Sequence, residues 1–173
     1  MALTRLGLNQ SINLSTNTTG TLAVANGGTA LTSGFVNGVA NPGKILQVQS
    51  SIRSTETVTT SGSYTDTGLQ VNITPSSTSS KILVMIGHGM NYTSSGTEVK
   101  FRLKRDSTQL TQFVLNLDGT GSTGGSSIMY LDTPNTTSQV TYYDQFFRSN
   151  GSGNVYLCVN NSSASITAME IEA

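Results

Sequence analysis

The sequence predicts an all-β fold, namely an antiparallel β-sandwich of the jelly-roll type preceded by an extended N-terminal arm. Apolar and polar residues alternate over many short stretches, which is the pattern of half-buried strands. Clusters of Gly, Ser, Asn and Pro separate these stretches and mark turns. No window combines the apolar period of a helix with helix caps. About eight or nine short strands at such spacing are typical of a sandwich or jelly roll.

The composition changes at residues 41–43, where Asn, Pro and Gly follow one another. Residues 1–43 hold one charged residue, Arg5, and one aromatic residue, Phe35, and no apolar stripe of helix or strand period runs through them. Such a segment cannot bury enough apolar surface to form its own core. We therefore predict that residues 1–43 are an arm lying against other chains, and that residues 44–173 are one globular domain.

The first strands of that domain can be read in order. Lys44–Ile52 alternates weakly, with Leu46 and Val48 on one face. Residues 69–73 alternate strictly between apolar and polar side chains, as a half-buried strand does. Lys81–Tyr92 is the most apolar run, and both of its faces avoid charge. We therefore expect this run to be a central strand that is covered on both faces.

The following strands alternate as clearly. In residues 99–104 three apolar side chains point inward while Lys100, Arg102 and Lys104 point outward. These basic residues could form a patch for an acidic ligand, but the alternation favours an ordinary solvated strand face. Further strands are predicted at Gln109–Leu117, Ser127–Asp132, Ser138–Arg148, Asn154–Asn160 and Ser165–Glu172.

The strand at 138–148 carries apolar side chains on both faces. Three of them share one face, and Tyr143 and Phe147 share the other. The second face either packs on a neighbouring subunit or is covered by a loop or the arm of the same chain, and the sequence leaves both alternatives open. Tyr143, Phe147 and His88 are the candidate subunit-interface residues, and closed rotational symmetry is the usual form of such self-association.

Composition and charge argue against several classes of function. Nine basic and nine acidic residues make up only 10% of the chain, with a net charge of zero. The chain therefore has no overall positive electrostatic field that would attract nucleic acid or an anionic membrane, and neither is predicted as a partner. No run approaches the length needed to span a bilayer. Cys158 is the single cysteine, and its apolar neighbours predict a buried small side chain rather than a reactive thiol.

No motif in the sequence predicts catalysis. Asp118–Gly125 matches G-x-G-x-x-G, but a predicted strand follows it where a phosphate cradle needs a helix. His88 is the only histidine, and Gly87 and Gly89 beside it allow another backbone to approach closely. The spacing of Ser, His and Asp residues along the chain is compatible with a Ser-His-Asp triad. No nucleophile-elbow motif is present, however.

We therefore predict no catalytic residues, no cofactor and no metal site. Only His88 could serve a metal on a symmetry axis, and we expect a hydrogen-bonded core or interface histidine instead. The acidic residues are scattered, and most are expected in loops or in solvent.

A resemblance to a known family rests on segments spread along the chain. The run Leu22-Ala23-Val24-Ala25-Asn26-Gly27-Gly28-Thr29-Ala30 resembles a segment recurrent in bacteriophage tail-fibre and other virion-fibre proteins. Residues 62–75 and 79–84 look like the start of the β-rich outer domain of such fibres, and residues 165–171 are similar to its end.

The resemblance implies a virion structural protein, a homotrimer whose arm joins the particle and whose sandwich projects outward. The resemblance implies no catalytic residues in this chain. The expected virion-attachment residues are Leu22, Val24, Asn26, Gly27 and Gly28.

The leading functional hypothesis is a short tail fibre or surface fibre on the virion that contributes to host attachment through a surface glycan. The alternative is a capsid decoration or head-fibre protein that stabilises the shell. A third candidate is a glycan-degrading fibre enzyme, which would need two carboxyl groups about 5–10 Å apart. Aromatic, amide and hydroxyl groups suit neutral sugars. The candidate receptor-contacting residues are Tyr92, Asp118, Thr120, Ser122 and Asn150.

Overall fold

A computed structural model describes residues 43–93, 97–117 and 123–172, which form an antiparallel β-sandwich of the jelly-roll type. The fold class is therefore confirmed. In these residues there is no helix, and hence none long and apolar enough to cross a membrane. The predicted arm lies outside the described residues. The strands are β1 (Ile45–Arg53), β2 (Thr57–Thr59), β3 (Thr65–Ile73), β4 (Lys81–Thr93), β5 (Thr97–Arg105), β6 (Thr108–Leu117), β7 (Thr123–Asp132), β8 (Val140–Asn150), β9 (Val155–Leu157) and β10 (Ala164–Ile171).

The strands form two sheets. In the larger sheet the order is β1-β10-β4-β9-β2, and β7 pairs with the other edge of β4. In the smaller sheet the order is β3-β8-β5-β6. All strand pairs among the described residues are antiparallel. The apolar run 81–92 is central, as predicted, because β4 pairs with β10 and β9 on one edge and with β7 on the other.

The core lies between the two sheets and follows the alternation of the sequence. The inward-facing side chains of β4 at positions 82, 84 and 86 are buried against those of β5 at positions 99, 101 and 103. Tyr142 and Phe146 of β8 are also fully buried. Because successive side chains of a strand point to opposite faces, the strictly alternating stretches of sequence identify the buried positions directly.

The structure differs from the predicted strands near the last hairpin. The strand expected at 154–160 ends at Leu157, because Cys158, Asn160 and Asn161 have φ between 53° and 59°. A left-handed backbone cannot continue a strand. The short strand β2 was not predicted from the sequence.

Glycines of β4 and β7 lie where backbones approach closely. A Cβ at Gly89 would lie 2.5 Å from the carbonyl oxygen of Ser163, and one at Gly125 would lie 3.2 Å from that of His88. This confirms the expected close approach of a backbone at Gly89 but not at Gly87, where only the Ser165 hydroxyl oxygen lies within 4 Å. It also explains why β7 begins at Thr123, inside the segment expected to be a loop, since these glycines permit strand pairing rather than a turn.

Candidate functional site

The outer face of the larger sheet carries a broad apolar surface. The strand register places Leu131, Leu83, Met169 and Val48 side by side across β7, β4, β10 and β1. A second row runs Met129, Met85, Thr167 and Ser50, and a third runs Ser127, Gly87, Ser165 and Ile52. We call this surface the apolar face; its apolar side chains are Leu46, Val48, Ile52, Leu83, Met85, Met129, Leu131, Met169 and Ile171.

The apolar face is accessible in the single chain. Met129 is 72% exposed and Ile52 is 73% exposed, while Leu83 and Met85 of the central strand are half-buried. The expectation that β4 is covered on both faces is therefore wrong for the described residues, because only its inner face packs on the other sheet. Four strands about 4.8 Å apart and three rows about 6.7 Å apart span roughly 400 Å². Seven of these twelve positions carry apolar side chains, and exposed apolar patches of a few hundred Å² are often functional.

A shallow hollow lies in the middle of the apolar face. It has a volume of about 430 Å³ and is lined by the small residues Gly87, Ser127 and Ser165 together with Met85, Met129 and Thr167. A Cβ at Gly87 would meet only the Ser165 hydroxyl oxygen, at 3.7 Å. The hollow, which we call the Gly87 hollow, therefore has room for an apolar side chain.

The outer face of the smaller sheet has a different character. Its β5 residues alternate outward as Glu98, Lys100, Arg102 and Lys104, and the Lys100 ammonium lies 3.5 Å from the Glu98 carboxylate. The Arg102 guanidinium stacks 3.8 Å from the centroid of the Tyr64 ring and donates to Gln145. These pairings support an ordinary solvated strand face rather than a patch for an acidic ligand.

Tyr143 and Phe147 lie on this same outer face, half-buried by groups of their own chain. The Phe147 ring packs edge-on against Tyr64, with centroids 4.5 Å apart, and the Lys104 ammonium lies 5.3 Å from the Tyr143 ring. The Tyr143 hydroxyl donates to the carbonyl of Asp106. The chain itself therefore supplies contacts for both side chains, and their role at an interface stays a prediction.

His88 lies inside the sandwich and is only 6% exposed. Its ring stacks on Phe101, with centroids 4.6 Å apart, and its Nε2 atom lies 2.7 Å from Oδ2 of the fully buried Asp144. The prediction of His88 as a subunit-interface residue is corrected: its side chain cannot reach a neighbour while the two sheets are packed together.

The polar groups around His88 form a continuous series of hydrogen bonds. Because the Asp144 carboxylate accepts, Nε2 carries the proton, and Nδ1 is hydrogen-bonded to the Ser126 hydroxyl at 2.7 Å. The Thr67 hydroxyl donates to the other carboxylate oxygen of Asp144 at 2.5 Å. Buried polar groups with all partners in place specify one packing of a core.

Ser126, His88 and Asp144 are the residue types of a hydrolytic triad, and they are hydrogen-bonded in sequence. In that template the carboxylate binds Nδ1 and the serine binds Nε2, whereas here the two nitrogens are exchanged. The ring is also held inside the core against Phe101. The geometry supports a role in joining the sheets rather than in attacking a substrate.

A second buried carboxylate belongs to Glu170 on β10, which is 0% exposed. It accepts from the Ser76 amide at 2.7 Å, the Ser76 hydroxyl at 2.6 Å and the Gln47 side-chain amide at 2.6 Å. Burial acts to raise the pKa of Glu170, but the hydrogen bonds from Ser76, Gln47 and Ser80 outweigh it and lower the pKa to about 2. The carboxylate thereby anchors the β3–β4 loop to the larger sheet.

A third cluster crosses between the sheets at Asp132. The Arg105 guanidinium and the Tyr142 hydroxyl both donate to its Oδ2 atom, at 2.6 and 2.7 Å. Burial, followed by the neighbouring Asp132 carboxylate, raises the pKa of Tyr142. The described residues contain no group of three or more His, Cys, Asp or Glu that could hold a metal ion.

The predicted receptor and attachment residues are only partly described. Leu22, Val24, Asn26, Gly27 and Gly28 lie outside the described residues, as do Asp118, Thr120 and Ser122. The backbone of Tyr92 lies in β4, paired with Tyr156, rather than in a loop, and its side chain is outside the described part. Asn150 ends β8 and is exposed.

A surface depression near this end of the sandwich involves different residues. It has a volume of about 290 Å³ and is lined by Glu56, Thr123, Tyr156, Val159 and Asn160. It combines an aromatic ring with a carboxylate, an amide and a hydroxyl. Sequence patterns could not have identified it, because these residues come from separate segments that only the fold brings together.

Comparison with known proteins finds no match in sequence and a distant likeness in structure. No family model matches the chain, and no curated protein matches it. A solved structure of Eiger TNF from S. frugiperda aligns over 76% of this chain and 94% of its own, at 8% identity and a TM-score of 0.49. The insecticidal delta-endotoxin Cry8Ea1 from Bacillus thuringiensis aligns over 68% of this chain, at 16% identity and a TM-score of 0.36.

The endotoxin match covers 19% of that protein's length, so this chain corresponds to only a small part of it. At these low sequence identities, neither structure indicates which residues of this chain would form a functional site. The resemblance to virion fibres remains a prediction from the sequence.

Sequence reasoning missed the three buried carboxylates, although a signal for two of them was present. Asp144 lies in phase with the inward residues at 140, 142 and 146 of its strand, and Glu170 lies in phase with those at 166 and 168. An acidic residue at an inward position of an apolar alternation predicts a buried, hydrogen-bonded carboxylate. These three are exceptions to the expectation that most acidic residues are in loops or in solvent.

Proposed function

We propose that this chain is a structural protein of a bacteriophage virion, a short tail fibre or surface fibre. In this proposal its β-sandwich associates with copies of itself into a homotrimer, residues 1–43 join other virion proteins, and the assembly contributes to attachment to a host-surface glycan. The observation that carries the proposal is the apolar face, whose three rows across β1, β4, β7 and β10 hold no ionisable side chain; Lys81 lies beyond the first row, at the start of β4. Permanent assemblies use interfaces of this composition.

The fibre assignment draws on the sequence resemblance and on the chemistry of the buried acids. Asp132, Asp144 and Glu170 are each engaged by hydrogen-bond donors inside the sandwich. These carboxylates serve the packing of the sheets, which favours a structural protein over a glycan-degrading enzyme.

The depression at Tyr156 is the described place best suited to a sugar. An aromatic ring binds the apolar face of a pyranose, while carboxylate and amide groups hydrogen-bond to its hydroxyls. The depression of about 290 Å³ suits one sugar unit better than a long chain. We propose neutral glycans as its ligands, because the chain has no net charge to attract acidic ones.

Gold-labelled antibodies against the sandwich, applied to purified particles of the phage that encodes the chain, test the virion assignment. Labelling of the tail is expected for a tail fibre, and labelling of the shell would instead favour the capsid-decoration alternative. Particles without label would overturn the proposal.

Adsorption of the purified full-length chain to host cells then tests the receptor role. The Tyr156→Ala variant is expected to bind at least about tenfold more weakly than the wild type. The matched control is Tyr64→Ala, which removes a tyrosine from the opposite sheet. Equal binding by both variants would remove the Tyr156 depression from the proposal.

A further inference from the structure

The apolar face presents a protrusion and a recess on one surface. Ile52 stands on the edge strand β1, and the Gly87 hollow lies over the central strand β4, between its neighbours β7 and β10. Ile52 is also 73% exposed, the largest exposed fraction among the large apolar side chains of the described part. A surface with both features can pack against a copy of itself.

We propose that copies of this chain associate through the apolar face, with Ile52 of one copy seated in the Gly87 hollow of the next. The inference rests on the proposed function and specifies which surface makes the homo-oligomer. A contact between different parts of the same surface is head-to-tail, and it closes into a ring when the rotation fits. Three copies around one axis satisfy this condition.

The composition of the face favours a second copy over another partner. The twelve positions in the three rows of the face hold no Asp, Glu, Lys or Arg, and Lys81 lies beyond the first row, paired with Ile171. A partner surface must therefore also be apolar and uncharged, since a facing charge would lose its hydration without gaining an opposite charge. The same face of a second copy meets this requirement.

The size of the face favours a ring over a single pair. The three rows span roughly 400 Å², whereas a stable interface buries about 800 Å² on each partner. In a ring, each copy contacts two neighbours, so the edges of the face at β1 and β7 are buried together with its centre. The trimer of the proposed function is a ring of this kind.

Sedimentation and light scattering of the full-length chain test the contact. We expect the wild type to have three times the chain mass of 18.1 kDa. Ile52→Asp and Met129→Asp are expected to weaken association by at least about tenfold, because each places a charge in the contact. Gly87→Leu should do the same by filling the hollow, and the open space above Gly87 allows the single chain to fold with this leucine.

The matched control is Val114→Asp, on β6 of the smaller sheet, where the side chain is 46% exposed. It should leave the oligomer intact, and circular dichroism should show that all four variants are folded. An oligomer retained in Ile52→Asp, Met129→Asp and Gly87→Leu would overturn this contact and leave the virion assignment standing. A wild-type monomer would overturn both the contact and the homotrimer of the proposed function.

Photo-crosslinking identifies the occupant of the face. A benzophenone amino acid is placed at Leu131, and the control carries it at Val114. Crosslinks from position 131 to β1 of another chain, the strand that carries Ile52, support the proposal. Crosslinks from position 131 to residues 1–42 of the same chain, or equal intermolecular yields from both positions, would overturn it.

Discussion

Asp144 of the smaller sheet accepts a hydrogen bond from His88 of the larger sheet, with 2.7 Å between Oδ2 and Nε2, in the interior of the sandwich. Both side chains are removed from solvent, and Thr67 donates to the second carboxylate oxygen. The bond therefore does more than pair two residues. It fixes how the two sheets are placed relative to each other, because a shift of either sheet would leave a buried polar group without a partner.

Removal of the Asp144 carboxylate should destabilise the domain strongly. We expect Asp144→Ala to lower the free energy of unfolding by about 3–5 kcal/mol, since it leaves His88 and Thr67 without their buried acceptor. Asp66→Ala is the control, because Asp66 is exposed and accepts from Gln145 at the surface, and its cost should stay below about 1 kcal/mol. Urea unfolding at neutral pH measures both. Similar small costs for the two variants would contradict the structural role of the cluster.

Glu170 should make stability depend on pH in the acidic range. Its pKa is about 2 in the folded chain and 4.5 without the fold, so its contribution is complete above pH 4.5 and is lost as the pH falls toward 2. Glu170→Gln should cost about 2 kcal/mol at pH 7, because the amide cannot accept all of the donors. The difference between wild type and variant should then shrink below pH 4.5. A difference that is constant between pH 7 and pH 2.5 would show that the carboxylate is not held as an anion.

Tyr142 should contribute through its hydroxyl as well as its ring. Tyr142→Phe removes one of the two donors to Asp132 and should cost about 1–3 kcal/mol at pH 7. The control Tyr64→Phe removes a surface hydrogen bond to Gln112 and should cost less than about 1 kcal/mol.

The pKa of Tyr142 is raised in the folded chain, so its contribution is present below pH 10 and decreases at higher pH, where the unfolded chain ionises. Thermal unfolding of the two variants at pH 7 and pH 11 measures both effects. A penalty for Tyr142→Phe that grows above pH 10 would contradict the assignment.

Cys158 should be unreactive in the native chain. Its side chain is buried, and burial raises the pKa of the thiol, so little thiolate is present at neutral pH. We expect a disulfide reagent to modify it at least about a hundredfold faster in 6 M urea than in buffer. The rate is followed by absorbance, with a free cysteine peptide as the reference. Native reaction as fast as that of the peptide would show that the thiol is accessible.

The alternation of the sequence was sufficient for most of the sandwich. The alternate positions 99, 101 and 103 of β5 and 140, 142 and 146 of β8 point inward as predicted, because a strand that is buried on one face must be apolar at every second position. The turn at Cys158 was not predicted, since a non-glycine residue adopts a positive φ only when its tertiary surroundings compensate. Likewise β2 holds too few residues for alternation to be recognised.

The sequence by itself determined the fold class, the central place of the 81–92 run and the burial of Cys158, because these follow from local alternation and composition. Only the tertiary structure decided the rest. It placed His88 against Asp144, 56 positions along the chain, and aligned Leu131, Leu83, Met169 and Val48 into one row. Such relationships depend on which strands pair and in what register, and these are set by the packing of the whole domain rather than by any one segment.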